Sequence, residues 1–317
     1  MPVKIVVPEH VHDEAIALLQ QRAEVVYDPR LHENEAVLAS ALQEATALIV
    51  RNKTVVGPDL LAGAPELKVV GRVGVGLDNL DVVALREAGV VATWAPGTNA
   101  VSVAEYVIGA ILEFARGFAR ASASLHRGEW DRQGAIGGEV FGKTLGIVGL
   151  GDIGTRLAHR AQAFGMSVLA TDPAIHGSTL GVQEFGVARV ELGELLEASD
   201  FVSLHAPLTD GTRDLVNAST LARMKPSAFL VNTARGGLVD EEALADALRN
   251  GRLAGAALDV RVNEPPGEDD PLRGLANVIL TPHVAGVTRE SMRRASLHVA
   301  HDVLRALDGA RPMSVVP

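Results

Sequence analysis

Short apolar runs that alternate with amphipathic stretches form the main pattern of this chain. In its first third, apolar runs cover residues 3–7, 24–27, 46–50, 67–73 and 89–93. Between them, residues 11–22 and 33–43 have apolar positions at helical spacing, which predicts amphipathic helices. Strands that alternate with helices predict a parallel, doubly wound α/β sheet.

A break in the pattern at residues 95–99 predicts that the first domain ends near Pro96. A long helix is expected at about 101–119, after which the alternation resumes and predicts a second α/β sheet. We expect the tail 311–317 to return to the first domain, and the acidic, proline-rich segment 263–271 to be a solvated loop. The later strands are predicted at 144–148, 167–171, 201–204, 228–232, 255–258 and 278–280, and the later helices at 240–249 and 288–308.

One predicted strand-to-helix junction carries the glycine motif Gly149, Gly151 and Gly154. Glycines at this spacing allow a tight turn, close approach of the backbone to a pyrophosphate, and close packing of helix on strand. The phosphates would bind N–H groups at the helix N-terminus. Asp172 ends the next strand, where a carboxylate suits a ribose 2′-hydroxyl and repels a 2′-phosphate; no arginine follows between Pro173 and Ile175. The sequence therefore predicts NAD binding.

Composition excludes several other classes of protein. The 317 residues are 47% hydrophobic and 21% charged, as in a globular protein with a sizeable core, and the net charge of −10 argues against a nucleic-acid partner. No apolar run approaches the ~18 residues of a membrane span, and the N-terminus is typical of a strand rather than a signal peptide. The chain has no cysteine, which fits a reducing cytoplasm, and its ten histidines show no metal-binding spacing, so we expect no metal.

Polar side chains follow three predicted strands of the second domain: Arg235, Asp259 with Glu264 five residues later, and His283. Ligands of open α/β sheets bind beyond the carboxyl ends of the strands. An arginine can bind a carboxylate with two hydrogen bonds, and a histidine beside a carboxylate can exchange a proton near neutral pH. Together these groups suffice for hydride transfer at a 2-keto or 2-hydroxy acid.

Each of these residues also has a purely structural interpretation. Arg235 could form a strand-end ion pair, His283 could cap a helix or fill the core, Asp259 could cap a turn, and Glu264 could belong to an ordinary loop. His205 is interpreted as structural lining and not as a catalytic residue.

The first domain contributes a second glycine-containing loop, Gly74 to Asn79, which lacks the third glycine of a nucleotide motif. We interpret it as an anion- or substrate-binding loop. Arg51 and Arg72 lie at the carboxyl ends of two predicted strands of this domain. Each arginine alone is more typical of a solvated surface charge.

These motifs, above all residues 232–241, 259–265 and 281–286, resemble the D-isomer-specific 2-hydroxyacid dehydrogenases, and the resemblance runs from Val3 to about Leu307. It implies that His283 is the acid/base, that Glu264 is its partner, and that Arg235 anchors the substrate carboxylate and carbonyl. The glutamate at 264 weighs against the formate dehydrogenases of this superfamily, which have glutamine there.

The resemblance also implies contacts for the cofactor and the substrate. Backbone N–H groups of Val75 and Gly76 would hold the substrate carboxylate. NAD would be bound through its pyrophosphate at Asp152 and Ile153, its adenosine ribose at Asp172 and its nicotinamide carboxamide at Asp259. The cofactor pocket would be lined by Ala206, Thr233, Ala234 and the turn from His283 to Gly286.

In domain organisation, the resemblance implies a Rossmann NAD-binding domain at 98–288 inserted in a flavodoxin-like substrate domain made of 1–97 and 289–317. The long helix after Asn99 usually forms a dimer interface in this family, so a homodimer is expected. Because the chain stops near residue 317, we expect the C-terminal regulatory domain of the long phosphoglycerate dehydrogenases to be absent.

The two arginines Arg51 and Arg72 point to a substrate class. Together they look like the phosphoglycerate dehydrogenases, whose arginines at these positions bind the substrate phosphate, and their surroundings also look like the sulfolactate dehydrogenases. We therefore expect a 2-hydroxy acid with a second anionic group at C3. The alternatives are a general glyoxylate or hydroxypyruvate reductase and a non-catalytic, NAD-sensing scaffold protein.

Overall fold

In the computed structural model, which describes residues 3–174 and 180–317, the chain divides into two compact domains. The first domain consists of Met1–Asn99 and Val287–Pro317, and the second of Ala100–Gly286. Ile175, named above beside Asp172, lies outside the described residues. None of the helices in the described ranges has the length and apolar character needed to cross a membrane.

The first domain contains a five-stranded parallel sheet in the order β2-β1-β3-β4-β5. This is the flavodoxin-like order, in which the strand order reverses between β1 and β3. Its first segment contains a short 3₁₀ turn at Leu31–Glu33 before the second helix. The regular elements are β1 (Lys4–Val7), α1 (Asp13–Gln20), β2 (Glu24–Tyr27), α2 (Glu35–Leu42), β3 (Ala47–Val50), α3 (Pro58–Ala62), β4 (Val69–Arg72), α4 (Val82–Glu87) and β5 (Val91–Trp94).

The second domain contains a seven-stranded parallel sheet in the order β12-β11-β10-β9-β6-β7-β8. The order reverses between β6 and β9, which is the switch point of a Rossmann fold. The predicted fold class is therefore confirmed. The elements are α5 (Ala100–Arg116), α6 (Phe118–His126), β6 (Thr144–Val148), α7 (Asp152–Ala163), β7 (Ser167–Thr171), α8 (Leu180–Gln183), β8 (Ala188–Arg189), α9 (Leu192–Ala198), β9 (Phe201–Leu204), α10 (Ala218–Leu221), β10 (Phe229–Asn232), α11 (Glu241–Arg249), β11 (Gly255–Leu258) and β12 (Val278–Leu280).

Apolar side chains cover both faces of this second sheet, as the continuous apolar strands predict. On one face α5 and α7 pack on β6 and β10, and on the other α9, α10 and α11 pack on β9 and β11. Phe114 of α5 stacks on Phe229 of β10 with ring centroids 4.1 Å apart. Parallel strands thus end side by side at one carboxyl edge, where the candidate residues lie.

The prediction of a single long helix at 101–119 was wrong. The structure has two helices there, since Gly117 adopts a left-handed conformation with φ of 63° and ends α5 at Arg116. Residues with a Cβ rarely adopt that backbone conformation, whereas glycine adopts it readily. The helix break is therefore local and encoded at one position.

The last helix, α12 (Arg289–Leu307), returns to the first domain and packs across β4. Gly71 of β4 allows this approach, because a Cβ at that position would lie 2.5 Å from Val299 and 2.7 Å from Val303. The tail beyond α12 follows β5, where the N–H of Val316 donates to the carbonyl of Ala92 at 2.8 Å. The tail therefore returns to the first domain, as expected.

A buried carboxylate, Glu9, organises the loop after β3 in the first domain. Its two oxygens accept the N–H groups of four consecutive residues at 2.9–3.0 Å, and only 2% of the residue is exposed. Burial alone would raise the pKa of Glu9, but the N–H donors outweigh it and hold the pKa below its usual value. The four donors are Arg51, Asn52, Lys53 and Thr54.

Replacing this carboxylate by an amide should destabilise the protein in a pH-dependent way. In Glu9→Gln the amide NH₂ faces backbone N–H donors, and leaving buried donors unpaired costs about 1–3 kcal/mol of unfolding free energy. Because the folded-state pKa is lowered, the wild-type advantage is complete above the ordinary glutamate pKa of about 4.3 and disappears as the pH falls through the folded pKa. Thermal unfolding from pH 7 to pH 3 measures this.

The matched control is Glu44→Gln, which removes a carboxylate of the same domain whose side chain is 78% exposed and bonds to Lys4. We expect little change in its melting temperature. Equal losses in the two variants, or a loss for Glu9→Gln that does not depend on pH, would contradict the role of Glu9.

Candidate active site

His283 and Glu264 form a hydrogen-bonded pair at the carboxyl edge of the second sheet. The Nδ1 atom of His283 lies 2.8 Å from Oε2 of Glu264, and both side chains are roughly half exposed. The other carboxylate oxygen of Glu264 accepts the N–H of Arg261 at 3.0 Å. A carboxylate in this position orients the imidazole and stabilises its charged form. Since Nδ1 faces the carboxylate, Nε2 is the nitrogen that can exchange a proton with a ligand.

The backbone of His283 has an uncommon left-handed conformation, with φ of 55°. The buried carboxylate of Asp259 holds this turn from below: it accepts the N–H of Val284 at 2.8 Å and that of Ala285 at 2.7 Å. The carbonyl of Asp259 also accepts the N–H of His283 at 2.8 Å. Asp259, 1% exposed, therefore positions the turn that carries His283.

A hydrogen-bond chain that the sequence analysis did not predict extends from Asp259 to helix α5. The hydroxyl of Thr281 donates to Asp259 at 2.6 Å, and the hydroxyl of Tyr106 lies 2.6 Å from the Thr281 oxygen. Burial raises the pKa of the Tyr106 phenol, and the charge of Asp259 raises it further, so the phenol stays protonated and donates to Thr281. No local pattern could have revealed this contact, because Tyr106 and Thr281 are 175 residues apart.

Arg235 follows β10 and begins a 3₁₀ turn over Gly236–Leu238. The side chain of Asn232 supports this segment: its Nδ2 donates to the carbonyl of Arg235 at 2.8 Å, and its Oδ1 accepts the N–H of Ala234 at 3.1 Å. The guanidinium of Arg235 donates to the carbonyl of Ala234 at 2.7 Å. Arg235, Asp259 and His283 thus follow the neighbouring strands β10, β11 and β12.

The segment 263–271, expected to be a solvated loop, is tied to the domain by ion pairs. Arg261 donates to Glu241 at 3.0 and 2.9 Å and to Asp270 at 2.9 and 2.6 Å. The bond from Arg261 lowers the pKa of Asp270 to about 2, and the bonds to Asp270 and Glu241 raise the pKa of Arg261, so Asp270 and Arg261 both stay charged. Residues 263–269 are exposed, as expected of a solvated loop, whereas the side chain of Asp270 at its end is only 3% exposed.

The three glycines of the nucleotide motif occupy different environments. Gly149 has φ of 97°, and a Cβ there would lie 2.6 Å from the carbonyl oxygen of His205. A Cβ at Gly154 would overlap the carbonyl of Gly149, whereas Gly151 faces open space. Helix α7 begins at Asp152 without a side-chain cap. This combination of tight turn, open glycine, uncapped helix terminus and close packing fits a bound pyrophosphate.

Asp172 lies beside this turn, at the end of β7. Its two oxygens accept the N–H groups of Leu150 and Ala174, each at 2.8 Å. The carboxylate is therefore held next to the glycine motif, which fits a bound ribose. His205 bonds through Nε2 to the hydroxyl of Ser203 at 2.9 Å, and burial lowers its pKa to about 4. His205 is thus neutral at pH 7, in line with a structural role.

The remaining cofactor-pocket candidates also follow strands of the second sheet. Ala206 comes after β9, and Thr233 comes after β10. The hydroxyl of Thr233 is buried without a hydrogen-bond partner among the described residues, as expected of an atom that meets a ligand. Gly286 ends the turn that begins at His283 and is the last residue of the second domain.

In the first domain, Arg51 follows β3 and Arg72 ends β4. The guanidinium of Arg72 lies against Gly74, where a Cβ would overlap it, and its Nε is 3.4 Å from Oδ1 of Asn79. Burial lowers the pKa of Arg51, although the charge of Glu9 opposes this effect. In the described part of the chain, the N–H groups of Val75 and Gly76 bond to no protein acceptor.

A sequence model of the D-isomer specific 2-hydroxyacid dehydrogenase NAD binding domain matches residues 108–285. The chain is 47% identical to the (S)-sulfolactate dehydrogenase of Chromohalobacter salexigens, over 96% of this chain and 98% of the relative. It is 40% identical to the hydroxypyruvate reductase of Thermotoga maritima, over 94% of this chain and 97% of that relative.

A third relative is longer than this chain. The D-3-phosphoglycerate dehydrogenase of Methanocaldococcus jannaschii is 43% identical over 99% of this chain, which spans 59% of that relative's length. Among solved structures, the TT0316 protein of Thermus thermophilus superimposes with a TM-score of 0.89 at 34% identity, covering 99% of this chain and 100% of the other.

Proposed function

The chain belongs to the family of D-isomer specific 2-hydroxyacid dehydrogenases, which makes it an oxidoreductase, and we propose the following reaction. It transfers a hydride between NAD(H) and a three-carbon 2-hydroxy or 2-keto acid that carries a second anionic group at C3. The observation that supports the chemistry is the 2.8 Å pair of His283 and Glu264 at the sheet edge that also carries Arg235.

In this proposal His283 transfers the proton. NADH, when bound, supplies the hydride that reduces the C2 carbonyl. Charged His283 donates the Nε2 proton to the carbonyl oxygen, which becomes the hydroxyl, while Glu264 stabilises the imidazolium. Arg235 binds the carboxylate and polarises the carbonyl, and the N–H groups of Val75 and Gly76 bind the same carboxylate. Oxidation of the hydroxy acid reverses both transfers, with His283 accepting the proton.

Removing the acid/base should abolish most turnover without loss of cofactor binding. A positioned acid/base contributes about 10²–10⁴-fold, so His283→Ala should lose that much kcat. Glu264→Gln should shift the pH range of reduction downward, because the charged imidazole loses its carboxylate. NADH oxidation at 340 nm across pH and NADH fluorescence titration measure both effects. His126→Ala, an exposed histidine of α6, is the control, and wild-type turnover in His283→Ala would contradict the assignment.

We also propose that NAD is preferred over NADP. Asp172 is held beside the glycine motif by two N–H groups, and a negative charge there repels a 2′-phosphate. The residue that directly follows it, Pro173, brings no compensating positive charge.

The cofactor preference should depend on Asp172. Wild type should have a much higher kcat/KM with NADH than with NADPH. Asp172→Ser should lower the ratio of these two kcat/KM values, because it removes the charge that repels the 2′-phosphate of NADPH. Asp210→Ser, at an exposed loop of the same domain, should leave the ratio unchanged. Comparable kcat/KM values for the two cofactors in wild type would refute the proposal.

The substrate class is supported by the two arginines of the first domain and by the relatives. Arg51 and Arg72 lie at the carboxyl ends of neighbouring strands, β3 and β4, where ligands of such sheets bind. Two of the relatives are named for acids that carry a phosphate or a sulfonate in addition to the carboxylate. A reductase of glyoxylate alone would have no use for this additional positive charge.

Loss of either arginine should weaken turnover of doubly charged substrates only. Charge-assisted hydrogen bonds are worth about 1.5–3 kcal/mol, so Arg51→Ala and Arg72→Ala should each lose about ten- to a hundredfold in kcat/KM. The substrates are phosphohydroxypyruvate, sulfopyruvate and oxaloacetate, with hydroxypyruvate as the comparison that lacks a charge at C3. Arg86→Ala, an exposed arginine of α4, is the control variant.

Two other results would replace this proposal. A wild type that prefers hydroxypyruvate, with neither arginine mattering, would identify a general reductase, the interpretation that the Thermotoga maritima relative favours. A wild type that binds NADH but reduces none of the four keto acids, nor glyoxylate, would identify a cofactor-sensing binding protein.

We further propose that the protein is a homodimer of the cytoplasm. The absence of cysteine suits a reducing compartment. Large apolar side chains of α6 and the segment after it are exposed, with Trp130 at 78%, and exposed apolar clusters of this kind mark protein interfaces. A monomeric mass in sedimentation equilibrium would contradict the dimer. The other large exposed apolar residues of this region are Phe118, Leu125, Ile136 and Phe141.

A further inference from the structure

The ion-pair cluster of Arg261, Glu241 and Asp270 lies in the segment that carries Glu264. Its arginine makes paired hydrogen bonds with both carboxylates, and its side chain is 7% exposed. Buried charges are retained only where their hydrogen bonds are satisfied, and here all four arginine bonds have lengths of 2.6–3.0 Å. The cluster plays no part in the reaction as proposed above.

The cluster joins three separate parts of the second domain. Glu241 is the first residue of α11, and its carboxylate also accepts the N–H of Val262 at 2.9 Å. Asp270 accepts the N–H of Leu272 at 3.0 Å. Arg261 therefore binds the start of the loop simultaneously to a helix terminus and to the end of the same loop.

The backbone of Arg261 contacts Glu264 directly. The N–H of Arg261 donates to Oε1 of Glu264 at 3.0 Å, while Oε2 of the same carboxylate bonds to His283. On its other side the backbone of Arg261 touches Gly236, where any Cβ would overlap the peptide between Arg261 and Val262. The peptide after Arg261 thus packs against the turn that follows Arg235, while the side chain of Arg261 is held by Glu241 and Asp270.

We propose that Arg261 is a positioning residue for the reaction: by binding Glu241 and Asp270 it holds the loop so that Glu264 stays bonded to His283. Arg261 touches neither substrate nor the reacting atoms, and it acts only through Glu264. The proposal rests on the proposed function for the role of the pair. Other titratable groups around the pair are Asp259 below the His283 turn, Tyr106 behind Thr281, and Arg235 after β10.

The decisive variant removes the forked bonds and keeps the charge of the cluster. One arginine and two carboxylates carry a net charge of −1, and in Arg261→Met/Asp270→Asn the remaining Glu241 also carries −1. A change in kcat or in its pH dependence then reports a change in the position of Glu264, because the net charge of the cluster is the same. The more deeply buried carboxylate, Asp270, is neutralised together with the arginine, and the 15% exposed Glu241 keeps the N–H of Val262 as a donor. Arg261→Lys, which keeps the charge but cannot form two forks, is a second, milder variant.

We expect the double variant to lower kcat at pH 7 about tenfold, a part of the total acid/base contribution, and to shift reduction to lower pH. The KM for NADH should stay within twofold of wild type. In a Glu264→Gln background the same double substitution should have no further effect, because residues that act through one another are not additive. The matched control, Arg223→Met/Glu197→Gln, removes an exposed forked pair of the same domain and should change none of these quantities.

Two outcomes would overturn the proposal: a lowered melting temperature with the wild-type pH profile, or effects that multiply in the Glu264→Gln background. A second readout does not need turnover. In ¹⁵N-histidine-labelled protein, the chemical shift of the His283 Nδ1 atom reports its hydrogen bond to Glu264, and an unchanged shift in the double variant would refute the role of Arg261. If wild type reduces no 2-keto acid, the proposed function fails while this measurement still decides the positioning role.

Discussion

A buried carboxylate must be surrounded by hydrogen-bond donors, and this constraint shapes both domains. In the second domain the donors to Asp259 include two successive N–H groups after His283, so satisfying the charge fixes the backbone of the turn. In the first domain Glu9 gathers four successive N–H groups and fixes the loop that begins at Arg51. In each case a buried acid fixes the backbone that carries a candidate site residue, His283 in one domain and Arg51 in the other.

Most strands could be predicted because parallel strands are buried on both faces. Ala47–Val50, for example, is apolar at every position, and all four residues are buried. The short helices Pro58–Ala62 and Leu192–Ala198 were not predicted, since one or two turns are too few for helical periodicity to show. The break at Gly117 was missed for a different reason, because apolar spacing continues through it.

The candidate site divides in the same way. The common edge of the sheet predicted that an arginine, a carboxylate and His283 lie together, and the family resemblance implied that Glu264 is the partner of His283; the two side chains lie 2.8 Å apart. The sequence did not predict the contacts of Tyr106 and Glu9 or the ion pairs of Arg261. This holds although Glu241 lies in the motif 232–241 and Asp270 in the segment 263–271. Most of their contacts join residues that are remote in sequence. Arg261 stands between Asp259 and Glu264 in the chain, and no local pattern distinguishes an arginine at the centre of buried ion pairs from one at the surface.

The packing of α12 on Gly71 also sets an order of events during synthesis. The second domain is one continuous segment, Ala100–Gly286, so all of its own core is available once that segment has left the ribosome. The first domain must wait for Val299 and Val303, which cover β4 from the far end of the chain. Until then the apolar face of β4 is uncovered, and contacts over more than 200 residues are slow to form. The first domain is thus the part of this protein whose apolar surface stays uncovered longest during synthesis.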